Sequence, residues 1–291
     1  MKRINFSIVT LLVVAMTLLF ASCTKDGVYK PKKKIAKIYQ TDMTIPQNAE
    51  KILAETWTWD GKLLSKIEYF NGDIANFSYE KKQLKSITNG ENRTELTYDG
   101  KLIDNMKMYH NDELEWTYTF EHGDKNRITG YTVERNTSKG NAAKNFCLVE
   151  NAFRFLVPEI ATNEAIEYAK AATSNQKGKD NYTVTLTYDG KNVASKTIKY
   201  EDATTGEVTY TYTEYLNPFY GLLTNEENNA TSKNAVASAV EKVPGLSGNY
   251  TYKYTYKIDD KFPTQIIEEK SFQMTTGSIN TNIVTDFEFV D

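Results

Sequence analysis

A short unit recurs along this chain and constrains its fold more than any other feature. It consists of an aromatic residue, an acidic residue, a tight turn, a lysine and then an alternating apolar strand. It reads Trp59-Asp60-Gly61-Lys62-Leu63-Leu64, then Tyr79-Glu80-Lys81-Lys82-Gln83-Leu84, then Tyr98-Asp99-Gly100-Lys101-Leu102-Ile103. A looser copy runs from Phe120-Glu121-His122-Gly123 to Ile128. The strict form returns as Tyr188-Asp189-Gly190-Lys191-Asn192-Val193, and Tyr256 to Phe262 echoes it. Anchors at 59, 79, 98 and 120 give a period near 20, which suits two strands and two turns. Asp-Gly is read as the pair of positive-φ positions of a type I′ turn, with Asn71-Gly72 and Asn89-Gly90 marking the opposite hairpin ends. Between the turns the period is two: Ile67 and Tyr69 share one face, Lys66 and Glu68 the other. The expected fold class is mainly β, a large curved antiparallel meander, barrel-like, with short helical inserts near 143–173 and 232–243.

One face of that meander is rich in aromatic residues. In Tyr250-Thr251-Tyr252-Lys253-Tyr254-Thr255-Tyr256-Lys257, four tyrosines alternate with Thr and Lys. Tyr210 and Tyr212 repeat the arrangement, as do Trp57 and Trp59. Such a face buries large rings while each polar tip still needs a partner. Two readings follow, the core of a curved sheet or an aromatic platform for a stacking ligand. The ligand-binding candidates are therefore Trp57, Trp59, Tyr210, Tyr212, Tyr250, Tyr252, Tyr254 and Tyr256.

Two stretches depart from period two. Over 141–175, Phe146, Val149, Phe153 and Leu156 fall at helical steps, Pro158 ends the run, and Thr162 can cap a second helix reaching Ala172. Ser232 to Val243, stopped by Pro244-Gly245, is a third helical candidate.

The N-terminus supplies an address. Lys2 and Arg3 precede the apolar run Ile8 to Phe20, and Ala21-Ser22-Cys23 follows. The run is too short to span a bilayer, and small residues before a cysteine describe a lipoprotein signal peptide. The expected organisation is a signal peptide over 1–22, a Lys-rich tether over 23–34 starting at a lipidated, palmitate-bearing Cys23, and one barrel-like β domain over 35–291. Thr24 after Cys23 carries no inner-membrane retention aspartate, so the expected location is the outer membrane, on its periplasmic or cell-surface face. The tether lysines can touch anionic headgroups. The net charge of the chain is −3, and beyond the tether acids outnumber bases, which argues against nucleic acid as a partner. Strand faces opposite the aromatic one are Thr, Lys, Glu, Asn and Ser, not the apolar band of a membrane-spanning barrel. Membrane attachment is thus expected through Cys23 alone. Cys147, the second of two cysteines, is then unpaired and reads as an inert thiol in an apolar stretch.

No chemistry announces itself. His110 and His122 lack metal-ligand spacing, and no cysteine pair supports them. No nucleophile elbow, phosphate-binding loop or dinucleotide fingerprint is present. Asp259-Asp260 and Glu268-Glu269 are adjacent on strands, so each pair points to opposite faces and cannot act jointly on one bond. No catalytic residue, metal or cofactor is expected.

The Tyr-Asp-Gly-Lys-Leu units resemble the YD-type repeats of bacterial surface proteins. The lipoprotein start, the hairpins and Tyr215-Leu216-Asn217-Pro218-Phe219-Tyr220-Gly221-Leu222 with Ser232-Lys233-Asn234 resemble a family of Bacteroidetes-type lipoproteins, a domain of unknown function with a porin-like fold. That resemblance implies a barrel-like antiparallel sheet over nearly all of Ile35 to Asp291 and brings no catalytic residue with it. The expected function is a lipid-anchored, non-enzymatic envelope protein that binds a glycan, a lipid-like ligand or an envelope partner. The alternative is a polysaccharide-acting hydrolase with dispersed carboxylates.

Overall fold

Each Asp-Gly-Lys unit folds into a hairpin, and the hairpins join edge to edge until the sheet meets itself. The computed structural model describes residues 33–124, 127–136, 181–220, 232–242, 248–274 and 277–290. In chain order the strands are β1 (Ile35–Asp42), β2 (Lys51–Asp60), β3 (Leu63–Tyr69), β4 (Ile74–Glu80), β5 (Gln83–Asn89), β6 (Asn92–Asp99), β7 (Leu102–His110) and β8 (Glu113–His122). They continue as β9 (Ile128–Arg135), β10 (Tyr182–Asp189), β11 (Asn192–Tyr200), β12 (Thr205–Leu216), β13 (Asn234–Lys242), β14 (Asn249–Asp259), β15 (Phe262–Met274) and β16 (Gly277–Phe289). Every strand pairs antiparallel with its sequence neighbours, and β1 pairs with β16 from Ile35↔Phe289 to Asp42↔Ile283, closing the barrel. Closure leaves no edge strand among the described residues.

The turns differ from the expected type. Asp60, Asp99 and Asp189 end their strands, and the two linking residues are Gly-Lys, of which only Gly61, Gly100 and Gly190 have positive φ, +56 to +60°. That is the type II′ arrangement, which takes glycine at its first central position. Lys81-Lys82, Asn111-Asp112 and Asp260-Lys261 have positive φ at both positions, as type I′ requires.

The aromatic residue of the unit has a specific job. Each of several strands carries one extra residue opposite its partner, a β-bulge, which takes the preceding carbonyl out of the ladder. Seven of the extra residues are Ala36, Ser65, Lys85, Asp104, Thr129, Ala194 and Ala237. The carbonyls just before them are each bonded by a ring from the neighbouring hairpin. Trp59 Nε1 donates to Ile35 O (2.7 Å), Tyr79 to Leu64 O (3.0 Å) and Tyr98 to Leu84 O (2.7 Å). His122 Nε2 donates to Ile103 O (2.8 Å), Tyr188 to Ile128 O (2.6 Å), Tyr212 to Val193 O (2.6 Å), and Tyr256 to Val236 O. In the looser fourth unit, then, the anchor is His122 and not Phe120, which is buried in the core.

Inside the barrel, β1 to β11 pack over one large core that includes Leu64, Ile67, Leu84, Leu96, Ile103, Tyr118, Tyr131 and Val133. Val208, Ala239, Tyr250, Tyr252 and Phe272 form a second, smaller cluster on β12 to β15. Outward positions such as Thr58, Asn76, Ser78, Thr97, Thr119, Thr187, Thr211 and Lys253 are exposed.

The helix expected over 232–243 is a strand. Its alanines and valines fit either period, and pairing with β12 and β14 on both sides decides the matter, a tertiary contact overriding local propensity. The helical insert expected over 141–175 and within it 143–173, Cys147, the signal peptide and Cys23 lie outside the described residues.

Both chain ends of the barrel emerge together, with Val290 N donating to Lys34 O at 2.7 Å. The Gly-Lys turns lie at this same end, since each links an even-numbered strand to the next. So does the Asn217-Pro218-Phe219-Tyr220 segment after β12. The Asn217 side chain accepts from Phe219 N (2.9 Å) and donates to Ser232 O (3.1 Å), which turns the chain inward. The Phe219 ring then sits 6.5 Å from that of Trp57 and 5.8 Å from that of Phe287.

Candidate functional site

Where the large core ends, the barrel interior is hollow. A cavity of about 510 Å³ lies between Phe219 and the inner faces of β12 to β16 and β1. This is the size range of small-ligand pockets. Register explains its wall. The four tyrosines of β14 face inward at alternate positions, opposite Phe272, Lys270, Glu268 and Ile266 of β15 on one side. On the other side Tyr250 stands opposite Glu241 and Tyr252 opposite Ala239. Small side chains at Ala235 and Ala239 leave the space, and Ile38, Val208, Ile266, Ile283 and Phe287 give it an apolar surface.

The eight aromatic residues singled out from the sequence divide into two groups. Tyr210, Tyr252, Tyr254 and Tyr256 line the cavity. Trp57 and Trp59 belong to the large packed core, 6.1 Å apart, where Trp57 Nε1 donates to Glu55. Tyr250 stacks on Phe272 at 4.4 Å within the smaller cluster. Tyr212 packs 6.4 Å from Tyr210 and receives a hydrogen bond from Ser232. The tyrosine face is therefore partly core and partly cavity wall.

Two of the cavity hydroxyls are held by the protein. Tyr252 donates to Glu241 (2.9 Å) and Tyr256 to Val236 O, while Tyr254 stands opposite Glu268 in the ladder. Burial, reinforced by the Glu268 carboxylate, pushes the Tyr254 hydroxyl well above its ordinary range. The cavity thus presents mainly ring faces and aliphatic side chains, with Gln40, Asn217 and Thr285 as its neutral polar residues.

Two carboxylates line it, Glu241 and Glu268. Glu241 is only 4% exposed. Burial raises its pKa, while Lys196, the Tyr252 hydrogen bond and Lys270 pull it back. Lys196, 2% exposed, points inward from β11, two strands from Glu241 through the Lys196↔Val208 and Val208↔Glu241 pairs. The Lys270 ammonium lies 5.0 Å from the Tyr250 ring centre and 5.7 Å from that of Tyr252.

These polar interior residues were not among the sequence candidates. The helical reading of 232–243 hid Glu241. Counting back by two from Ile198 places Lys196 inward, so that signal was available. Glu268 and Glu269 do point to opposite faces, Glu268 into the cavity and Glu269 outward and exposed. The histidines are in structural roles: His122 bonds a bulge carbonyl, and His110 Nδ1 lies 3.0 Å from Asn92 Oδ1.

No family model and no curated protein matches the chain. Solved structures do. A porin-like protein from Bacteroides uniformis ATCC 8492 superposes with a TM-score of 0.51 at 13% identity, covering 88% of this chain and 98% of its own. A porin-like protein from Bacteroides vulgatus ATCC 8482 gives a TM-score of 0.49 at 13% identity, over 89% of this chain and 99% of its own. The B. uniformis protein shares the fold. The barrel that the family resemblance implied is the architecture found.

Proposed function

We propose that this is a lipid-anchored envelope protein whose barrel holds a small ligand in its interior and performs no catalysis on it. The cavity carries the reading: a packed β protein with this many large side chains could have filled its interior, yet alanines and ring faces line a ligand-sized space. Anchoring by lipid at Cys23 rests on the signal sequence. The polar outward positions fit a barrel that is tethered to the outer membrane and does not span it. Tyr210, Tyr252, Tyr254 and Tyr256 are the contact residues of choice.

The test uses the mature chain with Cys23→Ser, which needs no detergent, and the fluorescent apolar probe N-phenyl-1-naphthylamine. Saturable one-to-one binding is expected, and Ala239→Phe should abolish it while leaving the circular dichroism spectrum intact. Equal binding by that filled variant would overturn the cavity reading. The alternative of a polysaccharide hydrolase is decided on the same preparation, where release of reducing ends from envelope or dietary polysaccharides would replace the binding role.

A further inference from the structure

Resting on that cavity reading, we infer that the ligand class is a cationic amphiphile: an apolar body ending in an ammonium group, seated against the Tyr254 and Tyr256 rings and the Glu268 carboxylate. Three observations lead there. The cavity wall is mostly ring faces and aliphatic side chains, with Gln40, Asn217 and Thr285 as its neutral polar residues, and the Tyr252 and Tyr256 hydroxyls already donate to protein acceptors. A sugar, which needs many hydrogen-bond partners, finds few here; an alkyl or aryl body finds a continuous surface.

The charged groups that line the cavity are both carboxylates, Glu241 and Glu268, and among the described residues no Lys or Arg lines it. An anionic head would meet like charge in a medium of low dielectric, whereas a cation gains there. The lysines of this region stand at one end, where Lys196 and Lys270 act on Glu241. Glu268 is two residues along β15 from Lys270 toward the Phe262 end, so the ammonium is directed to that part of the wall.

The same wall already accommodates a cation. Lys270 lies over the Tyr250 and Tyr252 rings at 5.0 and 5.7 Å, the geometry in which an aromatic quadrupole attracts positive charge. Tyr254 and Tyr256 continue that row with the same inward orientation, and Glu268 stands opposite Tyr254 in the ladder. Rings flanked by a carboxylate are how aromatic cages take quaternary ammonium groups.

Isothermal titration of the mature Cys23→Ser chain with octyltrimethylammonium, octyl glucoside and octanoate, each below its micelle concentration, tests this. The three share a chain and differ in head charge. Octyltrimethylammonium should bind about tenfold or more tighter than octanoate, and Glu268→Gln should erase about tenfold of that affinity while octyl glucoside binding is unchanged. Equal affinities, or octanoate binding tightest, would overturn the ammonium assignment and leave the cavity reading standing. Binding by none of the three would overturn both. The wild-type comparison alone decides if the Glu268→Gln chain does not fold.

Discussion

A tyrosine hydroxyl bonded to one carbonyl is the smallest part of this molecule that explains its sequence. At seven bulges a carbonyl leaves the ladder, and a ring from the neighbouring hairpin supplies the missing donor. That is why an aromatic residue with a polar tip recurs ahead of the turn, and why tryptophan and histidine can stand in for tyrosine at 59 and 122. The corresponding place at the closing seam is Phe289, which has no donor and instead packs its ring against Phe287 and Phe262. Tyr98→Phe keeps the ring and removes only the hydrogen bond to Leu84 O. A lost bond together with a desolvated carbonyl should lower stability by about 1–2 kcal/mol. Urea unfolding should show a lower midpoint with an unchanged slope. An unchanged midpoint would mean that water or another donor serves the carbonyl equally well.

At the scale of elements, β11, β13 and β15 bring charges of both signs into one part of the barrel interior. Lys196 and Glu241 are buried together, and the half-buried Lys270 also acts on Glu241, so losing Lys196 leaves a buried carboxylate undercompensated. Lys196→Met should cost about 3 kcal/mol at neutral pH. The double variant Lys196→Met with Glu241→Gln should recover most of that loss, so a double-mutant cycle returns a large coupling term. Strict additivity of the two single changes would show that the charges do not interact. The sign with pH follows from the raised pKa of Glu241: the folded state favours its protonated form, so the Lys196→Met deficit should shrink as pH falls and grow as pH rises through that pKa.

The same elements show what the sequence can and cannot reveal. Hairpins from Trp59 to Leu102 were legible because turn residues, anchor and alternation all fall within about twenty residues of one another. The β13 strand was not, because Ala235, Val236, Ala239 and Val240 satisfy helical spacing as well as alternation, and only the neighbouring strands choose. The anchor of the fourth unit was misplaced by two residues because Phe120 mimics it while His122 does the bonding. The inward tyrosines of β14 were legible as a face. Whether that face is core or wall depended on the alanines across the sheet.

Closure is a property of the whole molecule, and no local pattern encodes it, since the seam joins residues as distant as Ile35 and Phe289. One consequence is that the buried hydroxyls around the ring share a fate. Burial pushes Tyr79, Tyr98, Tyr131 and Tyr254 upward in pKa, and Tyr200 to about 12. An unfolded tyrosine ionises near 10.0. The folded state therefore disfavours tyrosinate. The stability this contributes is fully present below pH 10 and is lost as the pH rises from there through the folded values, the first window being about pH 10 to 12 from Tyr200. These residues sit on β4, β6, β9, β11 and β14, spread around the barrel, so no single hairpin can open to release them all. Alkaline titration followed by near-ultraviolet tyrosinate absorbance should show this buried group ionising late. Its ionisation should coincide with loss of the far-ultraviolet β signal, whereas the urea-unfolded chain titrates in one step near pH 10. Complete ionisation near pH 10 with the β signal intact would show that water reaches these hydroxyls in the folded barrel, and that their burial does not contribute to its stability.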